Sequence, residues 1–366
     1  MSLSLSLSAS LEPVNYYKNN ERVNKAKIIY NYLNKIKLNS DNACLSINPN
    51  KDNSYLLGES ILLGKQIGSN SKFGVVFKSK NINPKIKKIP LFTAKIQLNT
   101  NALNREVKTL QNLSNYGIKN KIPNLPILFK VVNCPNNSDF KLFENVNKNI
   151  IDKGYTIILN ELASGDLNYF LNKKYPFYLN ERIWCNVYEQ IFISLLILHS
   201  QGIRHNDAHS GNFLYHKINK GGCFHYNING VDYYIENLGF LWTSWDYGKI
   251  SKLETKGSYI YDFMMVNLVT RKNNSEKKTD KYRSHEWYGK YEWGYLRQNV
   301  IVPPKIEKFQ ELLWKLFGGY RSKNDVFMLE VRKMPEDLFF KFFLDNGLLF
   351  SKKPIGKIIS SVNIKL

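Results

Sequence analysis

The chain has 366 residues, 43% of them hydrophobic and 14% aromatic, which is ample for a large buried core and excludes a disordered or fibrous protein. Fifty-two Lys and Arg against thirty Asp and Glu give a formal charge of +22, but Lys, Asn and Ile recur along the whole length, as in Asn19-Asn20 and Ile86-Lys87-Lys88-Ile89. The charge therefore reads as AT-biased coding and not as one nucleic-acid-binding face. No apolar run reaches the roughly eighteen residues that a membrane span needs. The opening Met1-Ser2-Leu3-Ser4-Leu5 alternates without a basic leader, so a signal peptide is not expected. Cys44, Cys134, Cys185 and Cys223 contain no CxxC pair, so neither a zinc site nor a disulfide framework is expected, and a reducing cytoplasm fits.

Residues 1 to about 20 read as a tail. Val23, Ile28-Ile29, Tyr32-Leu33 and Ile36 then recur at helical spacing, and this stripe is expected to pack against the N-terminal half of the protein instead of docking a partner. Residues 39–53 read as a polar linker. From Ile61 the chain turns β-like, and Ile67 to Phe77 reads as a hairpin in which Gly68 and Gly74 let backbone amides approach phosphates; a plain hairpin turn is the alternative. Lys95 follows Ala94 in the apolar run Phe92 to Ile96, where a buried ammonium needs an anion. Glu106, on the helical segment Leu103 to Leu113, supplies one, the alternative being a surface Lys beside an unrelated helix. Asn124 to Phe129 and Tyr155 to Leu159 read as strands around an exposed loop at 136–149, and Asn160 to Leu167 reads as a connector.

Trp184 to His199 carries Ile191, Leu195 and Leu198 at helical spacing, and Gln201-Gly202 ends that helix. The next stretch, Ile203-Arg204-His205-Asn206-Asp207-Ala208-His209-Ser210-Gly211-Asn212, puts a carboxylate and a carboxamide five residues apart on a loop. Asp207 there can orient a hydroxyl and take its proton, while Asn212 offers a neutral oxygen to magnesium. Cys223–Ile228, Asn229-Gly230 and Val231–Ile235 read as a tight hairpin. Asp246-Tyr247-Gly248 leaves the strand-like run Phe240 to Trp245 with a second carboxylate. Residues 272–285 read as a charged insert, and the aromatics Trp287, Tyr288, Tyr291, Trp293 and Tyr295 as core, with single-stranded nucleic-acid stacking as the weaker alternative. Helical patterns follow at 306–317 and 338–349.

In order along the chain, Gly68 to Gly74, Lys95, Glu106, Asp207, Asn212 and Asp246 match the sequence of protein-kinase motifs, and on these residues the chain resembles the protein-kinase-like superfamily over roughly residues 58 to 350. The resemblance implies an α+β, two-lobed protein-kinase-like fold: residues 1–57 a tail and amphipathic helix, 58–162 a small β-rich N-lobe, and 163–366 a larger, mainly helical C-lobe. It implies ATP and magnesium as cofactors. Ile67, Gly68, Gly74, Val76, Ala94 and Lys95 would surround the nucleotide, the Asn160 carbonyl and Leu162 amide would meet the adenine edge, and Asp166 would approach the ribose. Asn212 and Asp246 would hold the metal, and Asp207, Lys95, Glu106 and His209 would carry the chemistry. Asp262 resembles the buried Asp that ties down the catalytic loop.

His209 stands where protein kinases usually carry Lys and is similar to the His-x-Asp-x-His loops of aminoglycoside-type kinases. Asn206 replaces the Arg of phosphorylation-switched kinases, and only sixteen residues separate Asp246 from Asp262, so constitutive activity is expected. The expected acceptor is Ser or Thr of proteins. A small-molecule hydroxyl and a nucleotide-binding pseudokinase scaffold are the alternatives, the latter suggested by Asn70 and Tyr247. The sequence texture is similar to kinase-like chains of large DNA viruses of amoebae, which implies the host cytoplasm or the virion.

Overall fold

Short apolar runs rich in β-branched and aromatic residues, as in Phe92 to Ile96 and Tyr155 to Leu159, build a seven-stranded sheet in the order β1-β2-β3-β4-β5-β7-β6. Its strands are β1 (Leu45–Ile47), β2 (Tyr55–Leu57), β3 (Ile61–Ile67), β4 (Gly74–Asn81), β5 (Phe92–Leu98), β6 (Leu128–Cys134) and β7 (Tyr155–Glu161), and every neighbouring pair is antiparallel. The sheet belongs to the first of two compact units, residues 1–162 and 163–366. The computed structural model describes residues 21–36, 38, 44–48, 54–68, 74–86, 89–135, 154–170, 180–253, 262–263, 304–305, 318–323, 326–331 and 350–366. Over these residues the protein is a mixed α/β structure, rich in strands, with few helices.

Side chains alternate across β5, and the alternation divides the labour of the first unit. Phe92, Ala94, Ile96 and Leu98 join a core with Ala26, Ile29, Tyr32 and Leu33 of helix α1 (Glu21–Lys35). Thr93, Lys95 and Gln97 occupy the other face. The stripe on α1 thus fills the sheet's core face, and polar contacts fix its position: Tyr32 donates to Asn81 Oδ1 at 2.7 Å and Lys130 donates to Leu33 O at 3.3 Å. Arg22 forks onto the Glu161 carboxylate at 2.7 and 2.6 Å and also donates to Pro123 O and Leu125 O. Helix α2 (Asn101–Lys119) starts at Thr100, whose hydroxyl caps Leu103 N at 3.1 Å.

Three local expectations change. Residues read as linker include β1, and β6 begins at Leu128, four residues after the expected Asn124. Cys44 and Cys134, expected to be unpaired, form a disulfide with Cα atoms 5.7 Å apart. They lie at the two ends of the strand order, so the sheet curls until its first and last strands meet; a pairing made by curvature across 90 residues leaves no spacing signal. Cys185 and Cys223 are buried and free.

In the second unit, helix α3 (Glu181–Ser200) is capped by Asn180 and buried along almost its whole length. Strands β8 (Gly165–Asp166), β10 (Phe213–Lys217) and β13 (Phe240–Ser244) form one sheet in the order β13-β10-β8. Gln190 of α3 ties to β13, accepting from Trp242 N and donating to Phe240 O, both at 3.0 Å. A second sheet joins the hairpin β11 (Cys223–Ile228) and β12 (Val231–Glu236) to β17 (Ile358–Ile364), which runs parallel to β11. Asn229 and Gly230 both have positive φ, as a tight hairpin turn requires. Across that sheet His225 bridges Ser361 Oγ at 2.7 Å and Asp232 Oδ1 at 2.9 Å.

A mainly helical second half is not what the described residues show. Strands prevail there, including β15 (Gly318–Lys323) and β16 (Val326–Val331), because the hairpin recruits the end of the chain as β17. The helical patterns at 306–317 and 338–349, the 272–285 insert and the 287–295 aromatics lie outside the described residues. No helix among the described residues is long and apolar enough to cross a membrane.

Two measurements check this packing. Cys134→Ser, or reductant, should lower the stability of the first unit by about 2–5 kcal/mol, read as a fall in its unfolding midpoint. Glu189 on α3 is pushed up to about 8 by burial, with the Lys305 charge pulling the other way and Glu236 adding to the rise. The folded chain therefore holds this proton more tightly than the unfolded one, so stability is full below the unfolded value and falls as pH climbs toward 8. Glu189→Gln should flatten that decline in a series of thermal melts between about pH 5 and pH 8.

Candidate functional site

Helix α3 stops at Gln201, and Gly202 at φ 67° turns the chain into β9 (Ile203–Arg204), which pairs with β14 (Ser251–Lys252). Between β9 and the tight turn Ser210–Asn212 runs the loop His205 to His209. Its backbone hangs on one buried carboxylate. Asp262 Oδ2 accepts from His205 N at 2.7 Å and meets His199 Nε2 at 3.0 Å, while Oδ1 accepts from Asn206 N at 2.8 Å. Burial alone would raise this carboxyl; the bond to His199 and the His205 amide outweigh it and hold it below the ordinary range. His205 Nδ1 accepts from Asp207 N at 3.3 Å, so Nε2 carries the proton and donates to Trp245 O at 2.8 Å. One imidazole thereby links the loop to the residue before Asp246.

Asp207, with its side chain 13% exposed, faces two nitrogens: Lys249 Nζ at 3.0 Å and His209 Nε2 at 3.8 Å from Oδ2. His209 Nδ1 accepts from Gly211 N at 3.1 Å, which leaves the proton on the nitrogen facing Asp207. Burial pushes the His209 ring down, with the Asp207 charge pulling back, so the ring is neutral at pH 7. Asn212 Nδ2 donates to Asp207 O at 2.9 Å, which commits the carboxamide nitrogen and leaves Oδ1 as the atom that could meet a cation.

The strand register sets Asn212 beside Asp246. β10 and β13 pair Phe213 with Ser244, and Trp245 N donates to Asn212 O at 2.8 Å, extending the ladder by one residue. Asp246 follows at φ 61°, its Oδ1 accepting from Gly248 N at 3.4 Å. Asn206 also has a left-handed backbone, at φ 62°. Such conformations cost energy in residues with a Cβ and concentrate at functional sites. The Asn206 carboxamide donates to Lys249 O at 2.8 Å and Ser251 Oγ at 2.9 Å and accepts from Arg204 Nε. Tyr247 is buried against His205 and bonded to Ser244.

In the first unit Lys95 Nζ meets Glu106 Oε1 at 2.6 Å, with side chains 10% and 5% exposed. Gln97 Nε2 donates to the other Glu106 oxygen at 3.3 Å. Val76 pairs with Lys95 and the buried Ala94 with Phe77. Ile67 and Gly68, at φ 72°, end β3 and its turn, and Gly74 opens β4, where a Cβ would lie 2.6 Å from Gln97 Cγ. The hairpin tip, 69–73, lies outside the described residues. Asn160 is buried; its carbonyl accepts from the Thr93 hydroxyl at 3.1 Å, so one of its lone pairs is already engaged. Leu162, half-buried, closes the unit. Asp166 belongs to the second unit, and its Oδ1 accepts from Tyr169 N at 2.7 Å.

Lys95 and Glu106 are thus joined in one unit, and Asp207, His209, Asn212 and Asp246 gather in the other. Lys249 and Gln97 are additions from the structure. Lys249 had no distinguishing signal among so many lysines. Among the described residues no group of three or more His, Cys, Asp or Glu gathers to hold a metal. Asn212 and Asp246 offer two hard oxygens, a donor set that fits magnesium completed by nucleotide phosphates. The chain matches no protein-family model and no curated protein.

Because Asp262 satisfies two backbone amides and a buried His, Asp262→Ala should cost on the order of 3–5 kcal/mol, visible as a lower urea midpoint of the second unit. An unchanged midpoint would show that the loop is held by other contacts.

Proposed function

We propose that the chain is an ATP-dependent phosphotransferase of the protein-kinase-like superfamily, with two lobes, that moves a terminal phosphoryl group to a hydroxyl, the acceptor being Ser or Thr of proteins. The observation that carries this reading is the stretch His205 to Asn212, whose first two amides bond to Asp262 and whose last residue lies beside Asp246. The buried Lys95–Glu106 pair supports it, since a strand ammonium steadied by one carboxylate is poised to take phosphate oxygens as further partners.

In this mechanism Asp207 receives the acceptor hydroxyl, orients it and takes its proton as the oxygen attacks. Lys95, steered by Glu106, grips the nucleotide phosphates. Asn212 and Asp246 would hold magnesium, which when bound neutralises phosphate charge. His209 presents its Nε2 3.8 Å from the Asp207 carboxylate, near it but outside hydrogen-bond distance, while Lys249 Nζ at 3.0 Å makes the direct contact. A small-molecule hydroxyl is the second reading, favoured by an imidazole, not an ammonium, on the loop beside Asp207.

The test is purified protein with labelled ATP and magnesium, offered generic protein substrates and a small-alcohol panel in parallel. Asp207→Asn should lower transfer by roughly 10²-fold or more, with nucleotide affinity within about twofold because that residue touches the acceptor. Asp246→Asn should weaken magnesium-dependent ATP binding far more than binding of a metal-free nucleoside. Wild-type turnover in Asp207→Asn, or equal losses for both ligands in Asp246→Asn, would overturn these roles.

A further inference from the structure

We propose that Lys249 is a phosphate-contacting residue of this site, bridging Asp207 and the terminal phosphate of the bound nucleotide; the proposal rests on the phosphotransfer reading above. Its Nζ lies 3.0 Å from Asp207 Oδ2 with the side chain 45% exposed, so the head group is accessible from solvent while it holds that carboxylate. An ammonium has three donors and no acceptor, and can bind a carboxylate and a phosphate oxygen together. The chemistry calls for such a cation, because negative charge shifts among the phosphate oxygens during transfer and a fixed positive group beside them stabilises that shift. His209, the other nitrogen beside Asp207, has Nδ1 occupied by Gly211 N and brings no permanent charge.

Lys249 is also held in place by its backbone. Its carbonyl accepts from Asn206 Nδ2, and two residues later Ser251 pairs with Arg204 in the β9–β14 ladder. Asn206 is itself locked at φ 62° with its amide on Asp262. A half-exposed ion pair contributes little to stability. The anchoring is therefore best explained by position, and the residue can be changed without unfolding the unit.

The deciding measurement is the affinity of purified full-length protein for magnesium-ATP and magnesium-ADP by titration calorimetry, for wild type, Lys249→Met, Lys249→Arg and Lys252→Met. Lys249→Met should weaken ATP binding by about tenfold or more, the size expected for one charge-assisted bond, and leave ADP within about twofold. Lys249→Arg should regain most of the loss, Lys252→Met should change neither affinity, and all four proteins should melt alike. A similar fall in single-turnover transfer should accompany the ATP defect. If Lys249→Met binds both nucleotides like the wild type, or loses both equally, the role of Lys249 is overturned while phosphotransfer stands. If the wild type binds neither nucleotide, both readings fall.

Discussion

A single buried carboxylate organises the second unit. Asp262 is removed from water, which would drive a lone carboxyl to its neutral form; three donors, His199 Nε2 and the amides of His205 and Asn206, reverse that and keep it charged. The arrangement joins the end of α3 to the loop that follows it. With the amides of residues 205 and 206 fixed, the next residue, Asp207, has little freedom in where its carboxylate points. His205 then passes the constraint on through Trp245 O to the strand that delivers Asp246. Position in this loop is thus a property of backbone anchoring, which holds its side chains to tolerances that flexible side chains alone would not meet.

The first unit solves a related problem twice. Lys95 and Arg22 are both buried cations, and each is matched to one carboxylate at 2.6 Å. Removing either partner would strand a charge in a low-dielectric interior, so each pair specifies a geometry more strongly than it adds stability. The Arg22 fork ties α1 to Glu161, the last residue of β7, while Lys95 and Glu106 tie β5 to α2. The sheet between them closes on itself through Cys44 and Cys134 and is filled by α1 on its core face. The strand that carries Lys95 is thus packed on its core face by α1.

Much of this was legible in the sequence where the signal is local. Helical periodicity located α1, α2 and α3, the Asn229-Gly230 pair marked its hairpin, and the need of a buried ammonium for an anion led from Lys95 to Glu106. The spacing of Asp207 and Asn212 identified the loop before any geometry was known. What escaped was set by long-range contacts: β17 returning beside β11, the Cys44–Cys134 bridge across 90 residues, and Lys249 meeting Asp207. Asp166 also has a local role that the sequence reading left out: a carboxylate followed by a helical turn satisfies a free amide at that turn's start, here Tyr169 N.

The same distinction bears on control. Where a phosphorylated side chain and an Arg hold a catalytic segment in place, order depends on a modification that can be added and removed. Here Asn206 binds Lys249 O and Ser251 Oγ through a neutral carboxamide, and β14 pairs with β9 through backbone bonds. These contacts are present in the unmodified chain and involve no charge that a phosphatase could remove. A phosphate on Ser251 would replace the hydroxyl that Asn206 binds and bring negative charge into the β9–β14 ladder beside Arg204. Order in this segment is therefore set by contacts of the unmodified chain, and a phosphate on Ser251 would act first on the bond that Asn206 makes there.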